Sequence, residues 1–128
     1  MRFLHTGDWH VGKTLRGRSR AEEHRQVLAE VAAVARDRKV EIILVAGDLF
    51  DGAAPAPEAE EIVYRALLDL SRASEWVLVI AGNHDNPRRL EAVEPLMRLT
   101  NIRVLARPAR PSEGGVLTLQ TKVGAASI

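Results

Sequence analysis

The chain predicts an α/β fold in layers, a central parallel sheet with helices on its outer faces. Two observations predict it. Three apolar runs, Met1–Thr6, Glu41–Ala46 and Trp76–Ala81, are separated by stretches with helical apolar spacing, and that alternation makes parallel βαβ units. Each run also ends in a short polar motif: Asp8-Trp9-His10, Gly47-Asp48-Leu49-Phe50-Asp51 and Gly82-Asn83-His84-Asp85. Such motifs line the crevice outside the carboxyl ends of parallel strands, where open α/β sheets bind ligands.

The elements follow in order. After the first strand, a polar loop rich in Gly and Arg runs to Ser19, which with Glu22 has the spacing of a capping box. Val27, Leu28, Val31, Val34 and Ala35 form the apolar stripe of a first helix. Ile42–Val45 is apolar on both faces, as a central parallel strand should be. Pro55 and Pro57 lead into a second helix with Ile62, Val63, Ala66, Leu67 and Leu70 on one side. The strand Val77–Ile80 comes next. Asn86 and Pro87 are the N-cap and first residue of a third helix, which Pro95 should break or kink. Ile102–Leu105 and Val116–Leu119 are two further strands. The order is βαβαβα plus two strands, in one domain over residues 1–128 with right-handed crossovers.

Composition removes several function classes. With no cysteine, disulfides, thiolate metal sites and thiol nucleophiles are excluded. No apolar segment suits a signal peptide or a membrane span, so a cytoplasmic location is expected. The net charge of +1 does not by itself mark a nucleic-acid binder. The cations are 15 arginines against 3 lysines, and arginine favours bidentate phosphate contacts.

Asp, His and Asn together suit divalent metals. Two divalent ions about 3.5–4 Å apart can clamp the attacking and leaving oxygens of a phosphodiester. Holding cations that close needs an anionic bridge, and Asp48, ending the central strand, is placed to be it. Asp8 and His10, two apart, face one side of an extended segment and would ligate one ion. Asn83 offers a neutral oxygen to the second. His84 is then free to face the substrate as a proton donor or a cation, with Asp85 orienting its imidazole. The glycines at 47 and 82 let the backbone turn sharply.

Other residues have plainer roles. Asp51 can hydrogen-bond its own loop, Trp9 packs under the site, His5 packs within its strand, and His24 faces solvent. Lys13, Arg16, Arg18 and Arg20 crowd the loop after the first motif, and Arg88 and Arg89 follow the third; of these, Lys13, Arg16 and Arg88 are the candidate phosphate contacts. Gly7–Thr14 satisfies the P-loop pattern G-x-x-x-x-G-K-[ST]. A P-loop opens into a helix at its lysine, whereas Gly17 and several arginines intervene here, and Asp8 would put a carboxylate in the phosphate cradle. Ile62, Leu67, Leu90, Val93, Leu96, Met97 and Leu99 outnumber the apolar positions that packing on the sheet requires, so a dimerisation module without catalysis is an alternative.

D-x-H, G-D-x-x-D and G-N-H-D in this order resemble the calcineurin-like metallophosphoesterases, and His5–Gly12 with Pro87 and Arg88 resemble their DNA-nuclease branch. The resemblance implies the metallophosphoesterase-type fold and manganese-dependent cleavage of DNA by exonuclease and endonuclease action. It also implies an ATPase partner and a homodimer. By it Asp8, His10, Asp48 and Asn83 are metal ligands and His84 is catalytic; in other branches the Asp51 position carries histidine. The family site needs three further histidines downstream, two of them in G-H-x-H, but this chain has none after His84. It is therefore expected to be the N-terminal part of such a domain, without the capping domain and ATPase-docking segment, and weak as a nuclease alone. A phosphodiesterase of small substrates is the remaining alternative.

Overall fold

The computed structural model describes residues 1–128. In chain order the elements are β1 (Phe3–Thr6), β2 (Thr14–Leu15), β3 (Arg18–Ser19), α1 (Ala21–Asp37), β4 (Ile42–Ala46) and α2 (Pro57–Ala73). They continue with β5 (Trp76–Ile80), α3 (Pro87–Met97), β6 (Ile102–Leu105), a 3₁₀ turn at Pro111–Glu113, β7 (Thr118–Thr121) and β8 (Gly124–Ser127). The main sheet is parallel in the order β1-β4-β5-β6. Thr6 pairs with Val45, Ala46 with Ile80, and Ile80 with Leu105, so the strands that precede the three motifs end side by side.

That spatial order never reverses, so right-handed crossovers put all three helices on one face. Leu28, Ala32 and Ala35 of α1, the five predicted residues of α2, and Leu90 and Met97 of α3 bury against Ile43, Val45, Val77, Val79 and Ile102. Each fully buried Leu, Ile or Val there contributes about 1.5–3 kcal/mol. The opposite face is covered in part by the β7–β8 hairpin, where Leu119 packs on Ile42 and Leu78. Trp76 Nε1 donates to the Gln120 carbonyl at 2.9 Å and anchors that hairpin.

Several local expectations change. The contact face of α1 is Leu28-Ala32-Ala35, so Val27 and Val34, one residue round the helix, are 56% and 50% exposed. Ser19 lies in β3, and Arg20 is the N-cap; the Ser19 hydroxyl accepts only from the Ala21 N–H, so no capping box closes with Glu22. The Arg-rich loop is a β2–β3 hairpin. Its turn residues Arg16 and Gly17 have φ of 48° and 75°, the positive pair that two-residue hairpins favour. This hairpin occupies the place where a P-loop would open its helix.

Asn86 caps α3 as expected, accepting from the Arg88 N–H. The helix passes through Pro95 and ends two residues later, where few backbone bonds remain to lose. Of the apolar residues expected in surplus, Ile62, Leu67, Leu90 and Met97 are in the core, and only Leu96 and Leu99 stand clear at 66% and 84% exposed. The strand expected at Val116–Leu119 lies two residues later, with β8 as an additional partner. His5 is exposed, because its position on β1 faces the side of the sheet that carries no helix.

The loops after β1 and β4 extend the β1–β4 pairing beyond the strands. Asp8, His10 and Val11 donate to the carbonyls of Gly47, Asp48 and Leu49 at 2.9–3.0 Å, and Asp51 donates back to Val11 at 3.1 Å. Asp85 ties in the third motif. Its buried carboxylate accepts from Leu49 N–H at 3.2 Å, Phe50 N–H at 3.0 Å and Gly82 N–H at 2.9 Å.

Replacing Asp85 with Ala leaves three N–H donors without an acceptor. Urea unfolding should show a loss of about 3 kcal/mol or more, and Asp85→Asn, which keeps one carbonyl oxygen, a smaller one. His24 departs from its expected exposure and is half-buried, and burial, followed by the Arg20 charge, lowers its pKa from 6.5. The unfolded chain then binds the proton more readily, so His24 subtracts stability as pH falls below 6.5 and nothing above it. Urea unfolding between pH 7.5 and 5 should show that slope, reduced in His24→Gln.

Candidate metal centre

The first three parallel strands bring their motifs to one end of the sheet. Gly47 and Gly82 permit the closest approach. Gly47 has φ of 79°, and a Cβ there would lie 2.6 Å from the Gly82 nitrogen. A Cβ at Gly82 would collide with the Asp48 carboxylate and backbone nitrogen. Only glycine at both places lets the second and third motifs meet.

Three residues named as ligands sit in the left-handed backbone region: Asp8, His10 and Asp48 have φ of 52°, 46° and 51°. Non-glycine residues rarely go there, although Asp and His tolerate it better than most. Asp8 and His10 are thus not on an extended segment. They converge through two left-handed turns, held by the backbone bonds to Gly47 and Asp48. Nothing in the sequence signals these conformations.

The side chains gather around His10. Its Nε2 lies 3.8 Å from Asp8 Oδ1 and 3.8 Å from Asp48 Oδ2. Its Nδ1 lies 3.5 Å from Asp51 Oδ1, yet is closed off from solvent with no hydrogen bond, since that distance is not matched by donor alignment. Separations of 3.8 Å are too long for hydrogen bonds. They suit donors of a common ion, because bonds of about 2.0–2.2 Å put two ligand atoms roughly 3–4 Å apart. Three carboxylates around one imidazole favour a cation on electrostatic grounds. Donor chemistry and spacing therefore fit a divalent metal.

Asp48 is fixed on both sides. Its Oδ1 accepts from the His84 N–H at 2.9 Å, which leaves Oδ2 toward His10, and its side chain is only 12% exposed. The ligand atoms of His10, Asp48 and His84 all lie within 4.8 Å of one another, and the two imidazoles meet edge to face. Asp8, 81% exposed, joins through His10. Asn83 is exposed beside His84, and its side chain makes no hydrogen bond within the chain.

His84 is oriented differently from expectation. The Asp51 backbone carbonyl, 2.9 Å away, holds its Nδ1, while Asp85 is committed to three backbone N–H groups. That carbonyl raises the His84 pKa above 6.5, outweighing desolvation, and the Asp48, Asp51 and Asp85 charges push the same way. Because a carbonyl can only accept, Nδ1 carries the proton that points to it, and Nε2 is the atom that takes up and releases the titrating proton. Trp9 packs beneath the site and donates from Nε1 to Thr6 Oγ1 at 2.9 Å. Lys13 and Arg16 on the hairpin side and Arg88 in the first turn of α3 are exposed and pair with no carboxylate. Arg20 and Arg89 are bound to Glu23 and Glu60. No helix is long and apolar enough to cross a membrane.

Comparison with known proteins gives the family. The profile described as calcineurin-like phosphoesterase matches residues 1–122. The SbcD subunit of the nuclease SbcCD from Bacillus subtilis is 43% identical over 93% of this chain and 32% of its own length. The corresponding SbcD subunits from Rhodobacter capsulatus and Escherichia coli K12 are 43% and 36% identical, over 89% and 83% of this chain and 29% and 26% of their own lengths. The chain thus spans about a third of the length of these relatives, or somewhat less. With nearly its whole length matched and the three motifs converging at one sheet end, the chain belongs to the calcineurin-like phosphoesterase family.

Proposed function

We propose that this chain carries the first half of a two-metal phosphodiesterase site acting on DNA, in a nuclease subunit of the SbcCD type that processes double-strand breaks in repair and recombination. The observation that carries the reading is the convergence of Asp8, His10, Asp48 and His84 at adjacent strand ends. The relatives named as SbcCD nuclease subunits support the substrate and an SbcC-type ATPase partner. A cytoplasmic homodimer completes the reading.

Asp8, His10, Asp48 and Asn83 are the proposed ligands, manganese the proposed metal, and Asp48 the bridge between two ions. Bound divalent ions supply Lewis-acid activation of the phosphate and hydroxide at neutral pH. Asp48 keeps its ligating oxygen in place because its other oxygen is held by the His84 N–H. Asp51 steadies His84 through its carbonyl, and its carboxylate lies 3.5 Å from His10 Nδ1. His84, with its raised pKa and its Nδ1 held by the Asp51 carbonyl, delivers a proton from Nε2 to the leaving oxygen or stands as a cation beside it. Lys13, Arg16 and Arg88 hold the flanking phosphates. This chain supplies the ligands of the first three motifs.

Calorimetry with manganese tests the centre. Binding is expected, weakened by about tenfold or more in Asp48→Asn, in line with losses of 10- to 100-fold from disturbed metal environments. Undetectable binding, or an Asp48→Asn variant that binds as well, overturns it. His84→Ala should keep manganese affinity while lowering any cleavage of single-stranded DNA by about a hundredfold, within the range for a lost general acid. Equal loss of metal binding in that variant makes His84 a ligand instead.

A further inference from the structure

The turn after β1 carries two of the proposed ligands, Asp8 and His10, with Trp9 between them. Backbone bonds fix it on both sides of Trp9. The Asp8 N–H donates to the Gly47 carbonyl at 3.0 Å, and the His10 N–H to the Asp48 carbonyl at 2.9 Å. Trp9 has no such bond. Neither its own N–H nor its carbonyl pairs within the chain, although both neighbours are held in the left-handed region. The middle of the turn is therefore placed by the Trp9 side chain.

That side chain has one polar contact. Trp9 is buried, and its indole Nε1–H donates to Thr6 Oγ1 at 2.9 Å. An indole nitrogen can only donate, and a buried one needs an acceptor. Thr6, the last residue of β1, is at hand because its side chain points to the helix-covered face, as Leu4 does two residues earlier. Packing does not fill the space alongside. A cleft of about 200 Å³ lies between the turn and α1, with Thr6, Trp9, Leu28 and Val31 among its walls, so the ring has room to turn once the bond is lost. Turning the ring moves the peptide planes on either side, and with them the Asp8 carboxylate and the His10 imidazole.

We propose that Thr6 and Trp9 are positioning residues of the metal centre: the Thr6 hydroxyl, by holding the indole, sets the separation at which Asp8 and His10 meet one ion. The inference rests on the reading of Asp8 and His10 as ligands made above. Both residues act through their neighbours and not on the ion itself. What they hold is the 3.8 Å spacing between Asp8 Oδ1 and His10 Nε2, and losing partners that orient metal ligands costs 10- to 100-fold in affinity.

Calorimetry with manganese on Thr6→Val and Thr6→Ser tests this, with urea unfolding of both. Valine keeps the shape of threonine without the acceptor and should weaken binding about tenfold. Serine keeps the hydroxyl and should bind as the unmutated chain does. A hydrogen bond that serves stability alone would lower the unfolding midpoint of Thr6→Val and leave its affinity intact. That result overturns the proposal, and so does an equal loss of affinity in Thr6→Ser. A second measurement needs no variant. Coupling between two sites is reciprocal, so saturating zinc, a diamagnetic probe, should slow exchange of the Trp9 indole proton about tenfold in nuclear magnetic resonance. The Trp76 indole proton, bonded to the Gln120 carbonyl on the other face of the sheet, should keep its rate. An unchanged Trp9 rate overturns the proposal even where Thr6→Val does not fold. Absence of metal binding by the unmutated chain instead overturns the metal centre, and the positioning role with it.

Discussion

The carboxylate of Asp85 is the contact on which the site depends. It sits buried at the base of the third motif and accepts N–H groups from both sides, Leu49 and Phe50 on one and Gly82 on the other. A buried charge is costly unless hydrogen-bonded, and three short backbone donors meet that requirement. Its effect is geometric. The loop after β4 cannot drift from the loop after β5, so Asp48 stays against the His84 N–H and the Asp51 carbonyl stays against the His84 ring. The first motif is held by a different device, the continuation of β-type pairing from Asp8 to Val11 along Gly47 to Asp51.

These two restraints sustain conformations that the local chain disfavours. Asp8, His10 and Asp48 each occupy the left-handed region, which costs on the order of 1–3 kcal/mol for a non-glycine residue. Such conformations persist only when the surroundings over-determine them. Here the surroundings are the rigid ends of β1, β4 and β5 and a core of fully buried aliphatic side chains beneath them. Strain and like-charge repulsion collect at the same few residues, and a bound cation relieves the second.

Most of the arginines in the helices are committed to ion pairs. Arg20, Arg25, Arg65, Arg72, Arg89, Arg98 and Arg107 each pair with a carboxylate. Lys13, Arg16, Arg18 and Arg88, close in sequence to the first and third motifs, pair with none. Pairing does not follow distance from the motifs, since Arg20 and Arg89 beside them are paired. Exposed ion pairs add little stability, and what sets Lys13, Arg16 and Arg88 apart is that their charges are uncommitted.

The sequence by itself determined the parallel α/β order, the five core residues of α2, the Asn86 cap, and Asp8, His10, Asp48 and His84 as one cluster. Period-two and period-3.6 burial, caps and strand-end motifs are local patterns, readable without coordinates. Tertiary structure alone decided the rest. Which stripe of α1 faces inward depended on its packing, so Val27 and Val34 turned outward while Ala32 and Ala35 turned in. The duty of Asp85 passed from the His84 ring to three backbone N–H groups, two of them 35 and 36 residues away in the chain, and a carboxylate declares no such distant partner in sequence. His24 gained its half-buried place from the turn that follows β1, a contact that helical periodicity does not encode. Local patterns name the residues; only long-range pairing and burial fix which atoms they meet.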